Sequence, residues 1–166
     1  MLVIIPAANE ENRIEKPLVN LLQKLPKNYS VLVVRNGTDS TPAIIKKLTI
    51  KYPNLKLLSF NKPIGKGKAL VEGFKQANNR VAFYDADGAT PVFELERMNA
   101  LLDNGADIVI GSRWLPESRA DMGSLRRRFA SRCFNFLVRC LFSLNYADTQ
   151  CGTKAFSQRA QQWVNK

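Results

Sequence analysis

Two carboxylates, Asp85 and Asp87, stand one residue apart around Ala86 and are followed by Gly88. They come directly after Val81-Ala82-Phe83-Tyr84, a short apolar run that reads as a buried strand. Alternate residues of an extended segment point the same way, so both carboxylates can converge on one partner. Two anions a few ångströms apart repel unless a cation lies between or beside them. A hard divalent ion, Mg²⁺ or Mn²⁺, would satisfy both and bridge to a diphosphate. The competing reading is a turn in which the Asp side chains bond backbone amides.

A second group is the loop Gly65-Lys66-Gly67-Lys68, after Asn61-Lys62-Pro63. It offers bare amides and cations near a helix start, which suits a phosphate, although solvated lysines on a turn would look the same. The spacing is not that of a P-loop, and no Gly-x-Gly-x-x-Gly follows the first strand, which argues against an ordinary dinucleotide-binding domain. The chain contains no His, so the commonest general base is absent and any chemistry rests on carboxylates, Lys, Arg, hydroxyls or a metal. Cys133, Cys140 and Cys151 are odd in number and have no Cys-x-x-Cys pairing, which points to a reducing compartment and away from disulfides or structural zinc.

Net charge is +11, unevenly placed. Between Arg113 and Arg139 lie seven Arg, no Lys, and only Glu117 and Asp121 as acids, a net +5. Guanidinium forks suit phosphate, so this segment fits an anionic small molecule, a lipid headgroup surface, nucleic acid, or simply a solvated face. Aromatic residues lie in apolar runs and are not interleaved with the basic cluster, which disfavours a base-stacking platform.

These groups need a frame to hold them. Apolar runs at Leu2–Pro6, Val31–Val34, Leu55–Phe60, Val81–Tyr84 and Ile108–Ile110 predict strands. Helical patterns lie between them. The first is capped at Asn9 and carries Ile14, Leu18, Leu21, Leu22 and Leu25; the second starts at Ser40 or Thr41 with Pro42 in its first turn. The third runs from about Gly67 to Asn78 and the fourth from about Val92 to Asp103, ending near Gly105. The alternation predicts an α/β fold: one domain over residues 1–166, a mainly parallel twisted sheet with helices on both faces. Ligands of such sheets bind outside the carboxyl ends of the strands, here the loops at 6–9, 35–39, 61–68, 85–90 and 111–113.

The segment Leu125–Leu144 begins with Arg126-Arg127-Arg128 and turns apolar, with Phe129, Phe134, Phe136, Leu137, Val138, Leu141, Phe142 and Leu144. It suits an interfacial helix reaching a membrane-held substrate, a core helix packed on the sheet, or a helix whose covering elements lie in a missing C-terminal part. No stretch is long enough to span a bilayer, and Met1–Pro6 lacks the features of a signal peptide. The expected location is cytoplasmic, peripheral at the membrane face.

Taken in order, Val3-Ile4-Ile5-Pro6-Ala7-Ala8-Asn9-Glu10-Glu11, Asn36-Gly37-Thr38-Asp39, Asn61-Lys62-Pro63-Ile64-Gly65-Lys66-Gly67, Asp85-Ala86-Asp87 and Ile110-Gly111-Ser112-Arg113 resemble glycosyltransferase family 2 of the GT-A type. Within it the chain is most similar to polyprenyl-phosphate (dolichyl-phosphate) mannosyl- and glucosyltransferases, whose C-terminal signature resembles Asp148-Thr149-Gln150-Cys151-Gly152-Thr153-Lys154-Ala155-Phe156. The resemblance implies transfer of a hexose from a nucleotide-diphosphate sugar to a polyprenyl phosphate, with metal-assisted departure of the nucleotide. It implies donor binding by Pro6, Ala8, Glu10, Asn36, Lys66 and Asp85. Asp85 and Asp87 match the metal pair, Asp87 being the direct ligand. Arg113 matches an Arg that meets phosphate at the active site. Arg127 and Ser131, four apart and hence on one helical face, match the pair holding the acceptor phosphate, while Asp148 and Gln150 fall near sugar and acceptor. For a hydroxyl acceptor, Asp148 would be the candidate base; a phosphate acceptor is already ionised and needs no base.

Three departures stand out. Arg35-Asn36 replaces the usual Asp-Asp, which bears on nucleotide preference. Ala89 stands where many lipid-phosphate members carry a Gln ligand to the metal. The chain also stops soon after Phe156 where relatives continue, so either a C-terminally truncated domain or an unusually short member is expected. Two other classes compete. A sugar nucleotidyltransferase would want glycines in the loop after the first strand, where this chain has Pro6-Ala7-Ala8-Asn9. A basic, non-catalytic nucleic-acid- or membrane-binding module explains the charge but not the ordered loops.

Overall fold

The computed structural model describes residues 1–114, 125–144 and 146–164, the side chains of Leu125, Arg127, Arg128 and Val164 excepted. Strands β1 (Leu2–Ala7), β2 (Ser30–Arg35), β3 (Leu55–Ser59), β4 (Val81–Phe83), β5 (Ile108–Ile110) and β6 (Lys154–Phe156) form one sheet in the order β3-β2-β1-β4-β6-β5. Helices α1 (Glu15–Lys24), α2 (Thr41–Lys51), α3 (Lys66–Phe74) and α4 (Phe93–Asp103) connect the first five strands, and α5 (Leu125–Phe142) and α6 (Gln158–Val164) follow. β1 pairs in parallel with β2 and β4, and β2 with β3, as the strand–helix alternation predicts.

The central strands β1, β2 and β4 are buried on both faces over most of their length, which is why they read as continuous apolar runs. In β1 and β2, Val3, Ile5, Val31 and Val33 face one core with Leu18 and Leu21 of α1, Ile45 of α2 and Leu95 and Met98 of α4. Ile4, Leu32 and Val34 face a second core with Ala69 and Phe74 of α3. A Cβ on Gly73 would stand 2.6 Å from Ile4 Cγ2, so the bare glycine lets α3 lie close on β1.

The antiparallel strand β6 is not foreseen in the sequence. It inserts between β4 and β5, pairing Ala82 and Val109 with Ala155. Phe156 anchors it, with its ring centroid 5.1 Å from Phe74 and 5.2 Å from Phe83. Such aromatic contacts stabilise beyond their area, by about 0.5–1.5 kcal/mol a pair.

One expected helix start is corrected. Asn9 does not cap α1, which begins at Glu15 with no side-chain cap. Asn9 is instead held in a left-handed conformation (φ 59°), and its Oδ1 accepts the Thr38 amide at 2.9 Å. The third helix ends at Phe74, short of the expected Asn78, because the chain turns through Gln76 and Ala77 into β4.

Candidate active site

The carboxyl ends of β1, β2, β4 and β5 share one edge of the sheet, and antiparallel β6 brings its first residue there. Lys154 pairs with Phe83 and Ile110, the last residues of β4 and β5. Residues 148–154 are thus set down between Asp85, two residues beyond β4, and Arg113, three beyond β5.

At the β1 and β2 ends the loops are stitched together. Asp39 Oδ2 accepts the Glu11 amide at 2.9 Å and the Thr41 hydroxyl at 2.7 Å, and Glu11 Oε2 accepts the Ser40 amide at 2.8 Å. Burial pushes the Asp39 carboxyl up, but the Thr41 hydroxyl and the Glu11 and Thr41 amides outweigh it and hold it below the usual carboxylate range. Pro6 lies in β1 opposite Val34, Ala8 is exposed, and Glu10 accepts a hydrogen bond from Arg13 Nη2 at 2.9 Å. Asn36 is buried, and its Nδ2 has no hydrogen-bond partner among the described residues; the same holds for Arg35 Nε.

Beyond β4, Asp85 Oδ1 accepts Lys66 Nζ at 2.7 Å, so the loop that begins α3 reaches the first carboxylate. Asp87 is exposed, and its Oδ1 accepts the Ala89 amide at 3.0 Å, the bond expected of an Asp turn. The turn does not exclude an ion, since a carboxylate has more lone-pair sites than this bond uses. Burial and then the nearby Asp87 and Asp85 push the Tyr84 hydroxyl up to about 12, and it donates to Thr90 O at 2.5 Å. The Asp85 carboxylate is pressed against Gly152, where an added Cβ would stand 1.7 Å from Asp85 Oδ2. Glycine at 152 is therefore a steric requirement of Asp85.

Asp85 and Asp87 could hold a divalent ion. They supply only hard oxygen, and among the described residues no group of three Cys, Asp or Glu side chains gathers around one point. That donor set fits Mg²⁺ or Mn²⁺, which keep waters and take one or two carboxylates plus substrate phosphate oxygens.

Arg113 and Asp148 form the most constrained pair at this edge. Arg113 Nε donates to Asp148 Oδ2 at 2.8 Å and Nη2 to Oδ1 at 3.1 Å, a bidentate fork. The Arg113 amide also donates to Oδ2 at 3.1 Å and the Gln150 amide to Oδ1 at 3.0 Å. Asp148 is almost fully buried; burial raises its carboxyl, but the Arg113 side chain and these amides more than offset that and hold it below the usual range. So bonded, Asp148 is arranged to orient Arg113. Arg113 Nη2 also reaches Ser131 Oγ of α5 at 3.5 Å, and the exposed Gln150 lies on the same loop. The Arg127 side chain lies outside the described residues.

Lys154 was missed in the sequence. It is half-buried, its Nζ donates to Cys151 O at 2.5 Å, and burial lowers its pKa against the opposing pull of Cys151, Asp148 and Asp85. The signal was its place in the Asp148–Phe156 segment, but only the antiparallel insertion of β6 brings it beside Asp85. The amino edge of the sheet holds an open cavity of about 1180 Å³ bordered by Arg80, Asp103, Asp107 and Arg159. Those charges pair with one another, Arg80 with Asp103 and Arg159 with Asp107.

A mostly parallel α/β sheet with two carboxylates beyond a central strand, opposed by Lys and Arg on neighbouring loops, defines a GT-A-type domain. The chain belongs to glycosyl transferase family 2, whose model matches residues 2–162. It is 33% identical to the glycosyltransferase AglD of Haloferax volcanii, over 95% of this chain and 26% of that protein. It is 31% identical to the dolichyl-phosphate beta-glucosyltransferase ALG5C of Trichomonas vaginalis, over 97% of this chain and 52% of the relative. The chain thus spans about a quarter of the first and about half of the second. Among solved structures, the mannosyltransferase PcManGT of Pyrobaculum calidifontis, in complex with GDP-Man and Mn²⁺, superposes with a TM-score of 0.69 at 24% identity, covering 98% of this chain and 46% of that one. The nucleotidyltransferase and nucleic-acid readings find no support among these relatives.

Proposed function

We propose that this chain carries the nucleotide-sugar site of a hexosyltransferase that transfers a sugar to a polyprenyl phosphate at a membrane surface. The observation that carries this reading is the gathering of Asp85, Asp87, Lys66, Arg113 and Asp148 at one sheet edge in a family 2 chain. Relatives named for dolichyl-phosphate glucosyl transfer, and a fold neighbour bound to GDP-Man and Mn²⁺, support the choice of substrates.

In this reading the bond between the anomeric carbon and the diphosphate oxygen breaks, and negative charge grows on the leaving nucleotide. Lys66 and Arg113 are placed to neutralise that charge, the kind of electrostatic stabilisation that dominates such reactions. Asp85 and Asp87 would hold Mg²⁺ or Mn²⁺, which supplies further positive charge at the diphosphate when bound. Lys66 already rests on Asp85, but the pair is solvent-exposed (side chains 61% and 34%). Such pairs contribute about 0–1 kcal/mol, so Lys66 can exchange Asp85 for a phosphate oxygen at little cost. We assign Pro6, Ala8, Glu10 and Asn36 to the donor, and Arg127, Ser131 and Gln150 to the acceptor, whose ionised phosphate needs positioning and no base.

The outward surface of α5 favours a membrane-held acceptor. Among the described residues, Phe129, Phe134, Phe136, Leu137, Leu141 and Phe142 are each more than half exposed, and no helix is long and apolar enough to cross a bilayer. An apolar surface on a helix with basic residues at its start suits the headgroup boundary. Transfer of radiolabelled sugar from nucleotide sugars to polyprenyl phosphate tests the proposal. Activity that disappears in Asp87→Ala with the fold retained is the expected result; full activity in that variant would exclude the assigned role.

A further inference from the structure

Helix α5 is inside out. Among its described residues, Ser131, Asn135 and Val138 lie at helical spacing on one less exposed face, Asn135 being the most buried, and Arg132 stacks on Trp114. Its described large apolar side chains, Phe129, Phe134, Phe136, Leu137, Leu141 and Phe142, are each more than half exposed. A polar residue on the inward face of a helix that turns phenylalanines outward calls for a specific partner, because a buried carboxamide is costly unless bonded.

The Asn135 carboxamide is well bonded, and to one place. Its Nδ2 donates to Ala147 O at 2.9 Å, while its Oδ1 accepts the Thr149 amide at 2.8 Å and the Thr149 hydroxyl at 2.6 Å. Ala147 O and Thr149 N belong to the two peptide groups that flank Asp148. One side chain of α5 therefore grips the backbone on both sides of the carboxylate that clamps Arg113. The bonds that Asn135 makes are to the peptides on either side of Asp148, so Asp148 is the group they position.

We propose that Asn135 is a positioning residue: by fixing both peptide groups of Asp148 it sets the bidentate clamp on Arg113 and couples that Arg to the seating of α5. The inference rests on the site assignment above, and deepens it by tying Arg113, the Arg assigned to the leaving diphosphate, to the helix expected at the membrane. Two consequences follow from the bonds themselves. Loss of the grip lets Asp148 and Arg113 drift, and a misplacement of ~1 Å at a reacting centre costs on the order of 100-fold in rate. Because the effect passes through the Arg113 fork, it cannot be felt twice.

The test compares Asn135→Ala and the milder Thr149→Val, which removes only the hydroxyl bond, in the wild-type and Arg113→Lys backgrounds. Lys keeps the charge but cannot make the fork. The expected result is a fall in kcat, larger for Asn135→Ala, with both KM values little changed and little further loss in the Arg113→Lys background. Equal losses in both backgrounds, or KM values that rise while kcat is unchanged, would overturn the proposal. A second readout needs no substrate: amide exchange at Arg113 and Gln150, which both donate to Asp148, should quicken in Asn135→Ala while exchange in β1 and β2 stays slow. Unchanged protection at Arg113 would overturn the proposal as well. If the wild-type chain transfers no sugar but the exchange result holds, the substrate assignment fails and the positioning role stands.

Discussion

At the residue scale the account turns on Asp85, Asp87 and the glycine that makes room for one of them. Asp87→Ala should lower transfer on the order of 100- to 1000-fold, the usual cost of removing one electrostatic stabiliser of a leaving group; steady-state kinetics with a thermal-melt control would show it. Gly152→Ala is a sharper test of geometry, since the new Cβ would stand 1.7 Å from Asp85 Oδ2. Moving the carboxylate or the 151–153 loop to relieve that clash costs about 1–3 kcal/mol, and Mn²⁺ affinity should fall with activity. Wild-type Mn²⁺ binding in Gly152→Ala, measured by calorimetry, would show that Asp85 is free to move. The two carboxylates were legible in the sequence because a strand ends just before them. Gly152 and Lys154 were not, because their proximity to Asp85 depends on a three-residue strand that lacks its own periodic signal.

At the element scale, β6 and α5 determine how the site is held. The Arg113–Asp148 pair joins the end of β5 to the loop before β6, and its carboxylate is depressed below the usual range. A native pKa below the unfolded value of about 3.9 contributes stability above that value, which is lost as pH falls through the native one. Denaturant melts should therefore show wild type losing its advantage over Asp148→Asn between neutral pH and strong acid; a constant difference would contradict the assignment. The strand–helix alternation made the parallel part of the sheet readable, because buried parallel strands are uniformly apolar. The inverted polarity of α5 was not readable. Its composition suits a core helix equally well, and only the burial of Asn135 beside exposed Phe134 and Phe136 separates the two. If α5 seats on lipid, replacing Arg126, Arg127 and Arg128 by Ala should weaken binding to anionic vesicles on the order of 100-fold, at ~1 kcal/mol per Arg near the surface, in co-sedimentation. Equal binding by the variant would remove the electrostatic part of that seating.

At the scale of the whole molecule, the functional groups lie along one edge of the sheet, while the cavity at the opposite edge is bordered by mutually paired charges. That asymmetry is what an open α/β sheet imposes: strand ends, loop amides and helix starts gather on the carboxyl side. The net +11 charge then favours anionic ligands in general, and the site must supply the selection. The direct measurement is a thermal-shift series with GDP- and UDP-sugars, each with and without Mn²⁺, on the wild type and Asp87→Ala. A ligand at 100 times its Kd stabilises the native state by about 2.7 kcal/mol, which for a chain of this size raises Tm by about 5–10 °C. The expected result is a rise of that order with one nucleotide sugar, dependent on Mn²⁺ and absent in Asp87→Ala. No shift with any nucleotide sugar, or the same shift in the variant, would contradict the assignment of Asp85 and Asp87 as the metal and diphosphate site.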